Sequence, residues 1–480
     1  MKLRLMATAA AATLLAGCAL GPDYQRPDLQ APAGFRGDAP AALEAAAPSA
    51  LGDQDWRQVY TDPTLQQLIE AALAGNLDLK RAYARIEQAR ATAGATGLVL
   101  LPQIGLEADR TRNKQSAQAV AFAGINRDLT VNRVSLTATW ELDLWGRLRR
   151  STEAAQAELL ASEQARRGVA VALIGDLATA YYNLQTLDEQ LAITRRTVGT
   201  REKFVELTRA RHDRGVISGL DVATAEAQAA AARANVPELE RQIGLVEDLI
   251  GVLIGGWPGQ VARAADMHDV APEPPAGLSS DLLGRRPDIL QAESALKAAN
   301  ARIGAAKAAL FPRLALTGSF GTASQQHDGL FSEGSNAFSF GGSLLQPLLD
   351  AERNLYQVDL ADARKREALL AYEQTVKGAF RDVADALVER RKYDEFELEQ
   401  GARVAALRRA DEIALARYRI GFSSYFDVIN AERDLFDSEL ALSAARRNTR
   451  LAAVRLYRAL GGGWNAADAA LARDGSAGGG

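Results

Sequence analysis

The 480-residue chain carries 56 Lys and Arg against 60 Asp and Glu, a formal charge of −4, so it lacks the basic excess of a nucleic-acid-binding surface. A hydrophobic fraction of 48% with only 6% aromatics points to long Ala- and Leu-rich helices rather than a compact α/β enzyme core. The three histidines, His212, His268 and His327, lie far apart without ligand spacing; no metal or acid–base site is expected from them, and no cofactor.

Residues 1–17 read as a secretory signal: Lys2 and Arg4 precede an apolar run from Leu5 to Ala16 that is too short to span a bilayer. Leu15-Ala16-Gly17-Cys18 closes it. Residues 18–55, rich in Ala, Pro and Gly, read as an extended tether. Beyond them the chain repeats itself at an offset of just over 200 residues. Asn76-Leu77-Asp78-Leu79 matches Arg286-Pro287-Asp288-Ile289, Leu101-Pro102 matches Phe311-Pro312, Arg211 to Asp221 matches Arg417 to Asp427, and Gly256-Trp257 matches Gly463-Trp464. Two tandem repeats are expected, over 56–256 and 285–464, with a linker at 257–284 and a tail at 465–480.

In the first repeat, Pro102 ends a helix and period-two alternation follows, predicting strands over about 103–113 and 130–144. Ile104, Leu106 and Ala108 share one face, as do Val134, Leu136, Ala138, Trp140, Leu142 and Leu144; Glu141 and Asp143 fall on the opposite face, as polarity for an enclosed lumen. A helical hairpin over about 146–254 comes next. Leu177, Leu184, Leu191, Val198 and Val205 recur every seven residues along its first arm. Its return arm carries a 3,4 seam from Val222 through Ala225, Ala229 and Ala232 to Leu253, interrupted by Pro237, which is expected to bend it. Gly215 marks the stop of the long arm and Asp221 the N-cap of the returning one.

The second repeat follows the same plan. After Pro312 come strands over about 313–323 and 336–347, with Leu314, Leu316, Gly318 and Phe320 on one face of the first and Phe338, Phe340, Gly342 and Leu344 on one face of the second. The second hairpin covers about 350–461, with Gly421 at the stop and Asp427 at the restart. Each strand has the length of a transmembrane barrel strand, and Trp140 and Trp145 suit an interfacial belt. Four strands cannot close a barrel, because open edges leave backbone groups unsatisfied in lipid. Several chains must therefore share one. Two chains give eight strands and a filled interior; three give twelve and room for an aqueous lumen, which the polar inward faces favour.

The lipobox-like Leu15 to Cys18, Gly21-Pro22-Asp23-Tyr24, Trp56 with Asp62-Pro63-Thr64-Leu65, Trp140 to Gly146, and Arg285-Arg286-Pro287-Asp288 together resemble outer-membrane efflux lipoproteins of the TolC/OprM type, NodT branch. The resemblance runs from Cys18 to about Trp464. It implies a mainly α protein with transmembrane β structure: a homotrimer whose 12-stranded β-barrel is continued by a 12-helix α-barrel. Cys18 would be lipidated, and Ala19 beside it implies the outer membrane of a Gram-negative envelope. The hairpin turns would form a periplasmic gate at Asp221, Tyr418 and Asp427, with adaptor-docking tips at Gly215, Val216, Ile217, Gly421 and Phe422. Asn430 and Ser423 stand where some relatives carry a second acidic residue and a tip arginine. Implied partners are a periplasmic adaptor (membrane fusion) protein, an inner-membrane efflux pump of RND type and outer-membrane lipid.

The expected function is passive conduction of drugs or other toxic compounds. Alternatives are a type I protein secretion duct, a structural envelope lipoprotein and, with only Met267 in the mature chain, a copper or silver exporter. No Gly-x-Ser-x-Gly elbow, His-Glu-x-x-His or Gly-Lys-Ser/Thr motif is present, so no enzyme is expected.

Overall fold

The computed structural model describes residues 19–29, 32, 51, 54–114, 116, 128–264 and 282–462. The signal segment, Cys18, Met267, His268, most of the linker and the chain from Gly463 onward lie outside the described residues. The elements, in chain order, are α1 (Trp56–Val59), α2 (Pro63–Gly75), α3 (Leu77–Leu98), β1 (Gln103–Lys114), β2 (Asp128–Leu142), α4 (Arg147–Asp213), α5 (Gly219–Leu253), α6 (Leu282–Arg285), α7 (Pro287–Ala308), β3 (Arg313–Ser324), β4 (Asn336–Leu345), α8 (Ala351–Arg419) and α9 (Tyr425–Ala459). Helix dominates. The chain divides into two compact units, one comprising Met1–Asp28, Arg85–Glu163 and Gln291–Glu373, the other Leu29–Ala84, Gln164–Leu290 and Gln374–Gly480.

The first unit holds a four-stranded antiparallel sheet of order β1-β2-β3-β4. Its register sorts the side chains by polarity. Ile104 lies opposite Ala138, Leu106 opposite Leu136 and Ala108 opposite Val134. Leu136 in turn faces Phe320, Trp140 faces Leu316 and Leu142 faces Leu314, while Phe320 faces Phe338, Gly318 faces Phe340 and Leu314 faces Leu344. Because paired residues of adjacent strands share a face, the apolar rows of all four strands form one surface. That surface is uncovered: Ile104 is 74% exposed, Leu106 73% and Phe338 83%. Thr137, Thr317, Ser319 and Ser339 occupy the other face, where Ser319 and Ser339 join their hydroxyls at 2.7 Å.

The strand-to-helix junctions are held by backbone carbonyls. Trp140 Nε1 donates to Leu100 O and Trp145 Nε1 to Pro312 O, both at 2.9 Å. The expectation for Asp143 needs correcting. β2 ends at Leu142, and the Asp143 carboxylate turns to the following helix, accepting the Leu148 and Arg149 N–H groups at 3.0 and 2.8 Å. Free N–H groups at a helix start attract a carboxylate more strongly than a solvated strand face does. Glu141 likewise pairs with Arg147 at 2.8 Å.

The first residues of the expected extended tether are docked along the helices. Leu20 N–H donates to Trp145 O, Arg150 Nε to Leu20 O and Asn300 Nδ2 to Pro22 O. Arg26 and Tyr24 both bond Glu293, which also pairs with Lys297. Burial acts to raise the Glu293 pKa, but the hydrogen bonds from Arg26 and Lys297 outweigh it and hold the carboxyl below its ordinary value. Gly21, at φ +97°, crosses Gly304 so closely that a Cβ on Gly21 would sit 2.4 Å from Gly304 Cα. Glycine is required on both sides of that crossing.

The second unit packs a core around Trp56, Tyr60, Leu65, Ile69, Ile174, Leu177, Tyr181, Leu184, Ile250 and Leu456. Asp62 caps α2 through the Thr64 and Leu65 N–H groups and accepts the Tyr181 hydroxyl at 2.6 Å, while that hydroxyl accepts the Ala264 N–H at 3.1 Å. The stretch leading to Ala264 is further held by Arg263, which bonds Asp188 and Glu247. α5 continues through Pro237 as a single helix. Arg286, in the Arg-Arg-Pro-Asp run, is nearly buried and bridges three helices: it pairs with Asp288 at 2.7 Å and Asp382 at 3.2 Å and donates to the Ala459 carbonyl at 3.1 Å.

Arg286→Met should therefore destabilise the protein by about 2–3 kcal/mol, since it leaves two carboxylates and a carbonyl without their shared donor. Chemical denaturation in detergent measures this, and an unchanged midpoint would refute the bridging role.

Candidate functional site at the two hairpin turns

The α4–α5 and α8–α9 turns are built identically. Gly215 (φ +73°) and Gly421 (φ +81°) take the left-handed conformation that closes each long helix. Gly215 N–H donates to His212 O and Val216 N–H to Arg211 O; Gly421 N–H donates to Tyr418 O and Phe422 N–H to Arg417 O. This nested pair of bonds is a Schellman motif, which needs glycine at its left-handed position. The restart differs from the expectation. Ser218 and Ser424, rather than Asp221 and Asp427, are the N-caps; each aspartate sits three residues on and completes a capping box, accepting the serine N–H at 3.0 Å in both turns. The shorter serine side chain reaches the exposed N–H groups from the cap position, leaving the carboxylate to reach back.

Residues assigned to one site by sequence occupy two different environments. Val216 and Phe422 are exposed, with Gly215 and Gly421 beside them, and Ile217 is half-buried, its carbonyl 3.1 Å from His212 Nδ1. Asp221 is half-buried and Asp427 exposed. Tyr418 instead is buried in a cluster with Phe204, Val205, Ala225, Ala229 and Val428, drawn from all four long helices. Phe204 stacks on Tyr425 at 4.7 Å and 9° and lies 5.5 Å from Tyr418. Arg211 joins the two turns: its guanidinium lies 4.7 Å over the Tyr418 ring and donates to Arg419 O at 3.5 Å. Such stacked and cation–π contacts contribute about 0.5–1.5 kcal/mol each.

Several residues of this region were not found from sequence. Leu220, Ile420 and Phe426 add exposed apolar surface to the turns; Leu220 and Phe426 correspond at the same offset as Asp221 and Asp427, which was a usable signal. Glu432 had none, being one of 60 acidic residues. It lies beneath the turns in a small pocket with Arg201, Phe204, Gln228 and Tyr425. Burial, then the nearby Asp411 carboxylate, push its pKa from 4.5 up to about 7, opposed by Arg201. Arg201 is itself engaged by the Gln228 carbonyl at 2.9 Å and the Phe436 ring. Asp411 is also raised, by burial first and by Glu412 and Glu439. Among the described residues no group of His, Cys, Asp and Glu is arranged to hold a metal ion.

The packed turns should consequently respond to pH. A solvated glutamate ionises near 4.5 and packed Glu432 near 7, so packing carries no charge penalty below about pH 4.5 and weakens as pH rises to about 7, by about 3 kcal/mol at most. Protection factors along the first turns of α9, corrected for the intrinsic pH dependence of amide exchange, should fall between pH 5 and 7 in the wild type and stay flat in Glu432→Gln; a pH-independent wild-type protection would refute the assignment.

The family model for outer membrane efflux protein matches residues 68–247 and 278–462. The chain is 35% identical over 462 residues to the probable efflux pump outer membrane protein TtgC of Pseudomonas putida, covering 96% of each chain. It is 37% identical over 468 residues to the outer membrane protein OprJ of Pseudomonas aeruginosa, covering 95% of each. The open-state structure of the MtrE outer membrane channel of Neisseria gonorrhoeae superposes with a TM-score of 0.84 at 32% identity, over 93% of this chain and 99% of that one.

Proposed function

The chain belongs to the outer membrane efflux protein family, and from that premise we propose that three copies assemble into one conduit. It is an outer-membrane channel component of an efflux pump in a Gram-negative envelope, and not an enzyme. In the proposed assembly three four-stranded sheets join into a 12-stranded barrel and twelve long helices continue it as a periplasmic tunnel. Each chain contributes two tandem repeats, 56–256 and 285–464, to the threefold ring.

One observation carries this reading: the sheet register gathers the apolar side chains of all four strands onto a single uncovered face, between two strand edges that pair with nothing among the described residues. In water such a face is costly, and in lipid such edges are costlier still. Joining β1 of one copy to β4 of the next satisfies both. No helix among the described residues is long and apolar enough to cross a membrane.

Cys18 is proposed as the lipidated residue, one position before the docked segment that begins at Ala19. The exposed apolar residues Val216, Leu220, Phe422 and Phe426 at the turns suit docking of a periplasmic adaptor, beside Gly215, Ile217 and Gly421. Asp427 and Asp221 are proposed as carboxylate rings at the narrow end, with Tyr418 as the packed hinge behind them. An inner-membrane pump of the RND type would deliver drugs or other toxic compounds, which the channel conducts passively.

Purified full-length protein in a planar bilayer should give discrete conductance steps; a protein that leaves the bilayer silent is not this channel. Asp427→Asn should lower cation preference, read as a shift of reversal potential in a salt gradient, and an unshifted potential would remove Asp427 from the gate. Deleting the gene with its close homologues should sensitise cells to toxic compounds, and unchanged susceptibility to every one tried would count against efflux.

A further inference from the structure

Along β1 the face that carries Ile104, Leu106 and Ala108 continues with Arg110, Arg112 and Lys114. The one-to-one register with β2, from Gln103 opposite Thr139 to Lys114 opposite Asp128, contains no bulge, so the alternation is preserved and these six side chains share one face. Hydrophobic rows on that face run from Leu142 to Val134 on β2. Eight residues at about 3.4 Å each cover about 27 Å along the strand, or about 21 Å at a tilt of about 40°, close to the apolar band of an outer-membrane barrel. The first cation, Arg110, stands in the very next row.

All three cationic residues are exposed, and they lie at the end of the sheet away from the junctions with α3, α4, α7 and α8. Their neighbours cancel only part of this charge. Arg112 holds the Asp128 carboxylate with two bonds at 2.8 and 2.6 Å, and Arg110 lies 3.0 Å from His327 Nε2. Asp109 belongs to the opposite face, across from Arg133. A lipid-facing strand that turns from apolar to cationic at the rim of the hydrocarbon layer matches an amphiphile with the same division: acyl chains below and phosphate at the headgroup. Arg and Lys suit that boundary because their apolar stems lie along the chains while the charged ends reach the phosphates.

We propose that Arg110, Arg112 and Lys114 form a ladder that binds the phosphorylated headgroup of an outer-leaflet glycolipid, its acyl chains lying on Ile104, Leu106 and Ala108. The proposal rests on the barrel reading, which places this end of the sheet at the outer leaflet. The ladder lies on the edge strand β1, so one such lipid would sit at each seam between copies and line the joint where two chains meet.

The test uses full-length protein in nanodiscs, with binding of diphosphorylated lipid A measured by native mass spectrometry. Conductance of the same preparations is recorded alongside. The variant Arg110→Gln/Arg112→Gln/Lys114→Gln should bind lipid A about a hundredfold more weakly, roughly fivefold for each cation lost, while conducting as the wild type does. Arg133→Gln, on the opposite face, should bind normally. Wild-type protein should bind dephosphorylated lipid A poorly, and this comparison decides the matter even if the triple variant fails to assemble. Equal affinity for the two lipids, or undiminished binding by a conducting triple variant, would overturn the ladder. Displacement of lipid A by millimolar inorganic pyrophosphate would make this a free-phosphate site and overturn the lipid assignment. A wild type that does not conduct would overturn the barrel reading, and the ladder with it.

Discussion

A four-stranded sheet with one greasy face and two open edges is the constraint from which the proposed assembly follows. Backbone N–H and C=O groups at a strand edge must find partners, and in hydrocarbon water is absent. β1 and β4 are the two ends of the sheet, with an exposed apolar surface between them that includes Leu106, Phe320 and Phe338. The proposed trimer is the arrangement in which each open edge meets another, with a lumen wide enough for the polar face of threonines and serines.

The remaining construction keeps that sheet attached to its helices. Trp140 and Trp145 each spend their single indole donor on a carbonyl at a strand–helix junction, and Asp143 caps the start of α4. The segment from Ala19 to Arg26 runs from that junction along α7 and is fastened by Arg150, Asn300 and Glu293, with the Gly21–Gly304 crossing allowing the two backbones to approach. In the other unit Arg286 ties the start of α7 to α8 and α9 through two carboxylates and a carbonyl. The motifs that carry the family resemblance thus have concrete physical work, and most of it concerns ends of helices, where backbone groups lack partners.

At the turns, small contacts set the response. The Schellman closures and capping boxes make the two tips rigid locally, while the cluster of Phe204, Tyr418 and Tyr425 and the pocket holding Glu432 connect them to the four helices beneath. Packing there confines a carboxyl whose proton is held to near neutrality. Tip geometry and titration are consequently linked.

Much of the molecule was legible from periodicity. The alternation through Val134, Leu136, Ala138, Trp140 and Leu142, and the heptad seam through Ala225, Ala229 and Ala232, record which side faces a neighbour, and burial follows that seam. The paired glycines, Gly215 and Gly421, were legible because only glycine takes the left-handed turn without steric cost. Local rules reached less far. They named aspartate as the cap where a serine three residues earlier takes that position, left Asp143 on a strand it does not belong to, and gave no sign that the extended tether begins with a docked segment. Which serine reaches an N–H, which glycine meets another 283 residues away, and which of many glutamates is desolvated are decided by distances between segments remote in sequence. By itself, then, the sequence determined the repeating helices and strands, because hydrophobic period is a property of neighbouring residues. Only the tertiary structure decided that Arg110, Arg112 and Lys114 extend the apolar face of the sheet and that Glu432 is enclosed, because both depend on strand register and helix packing.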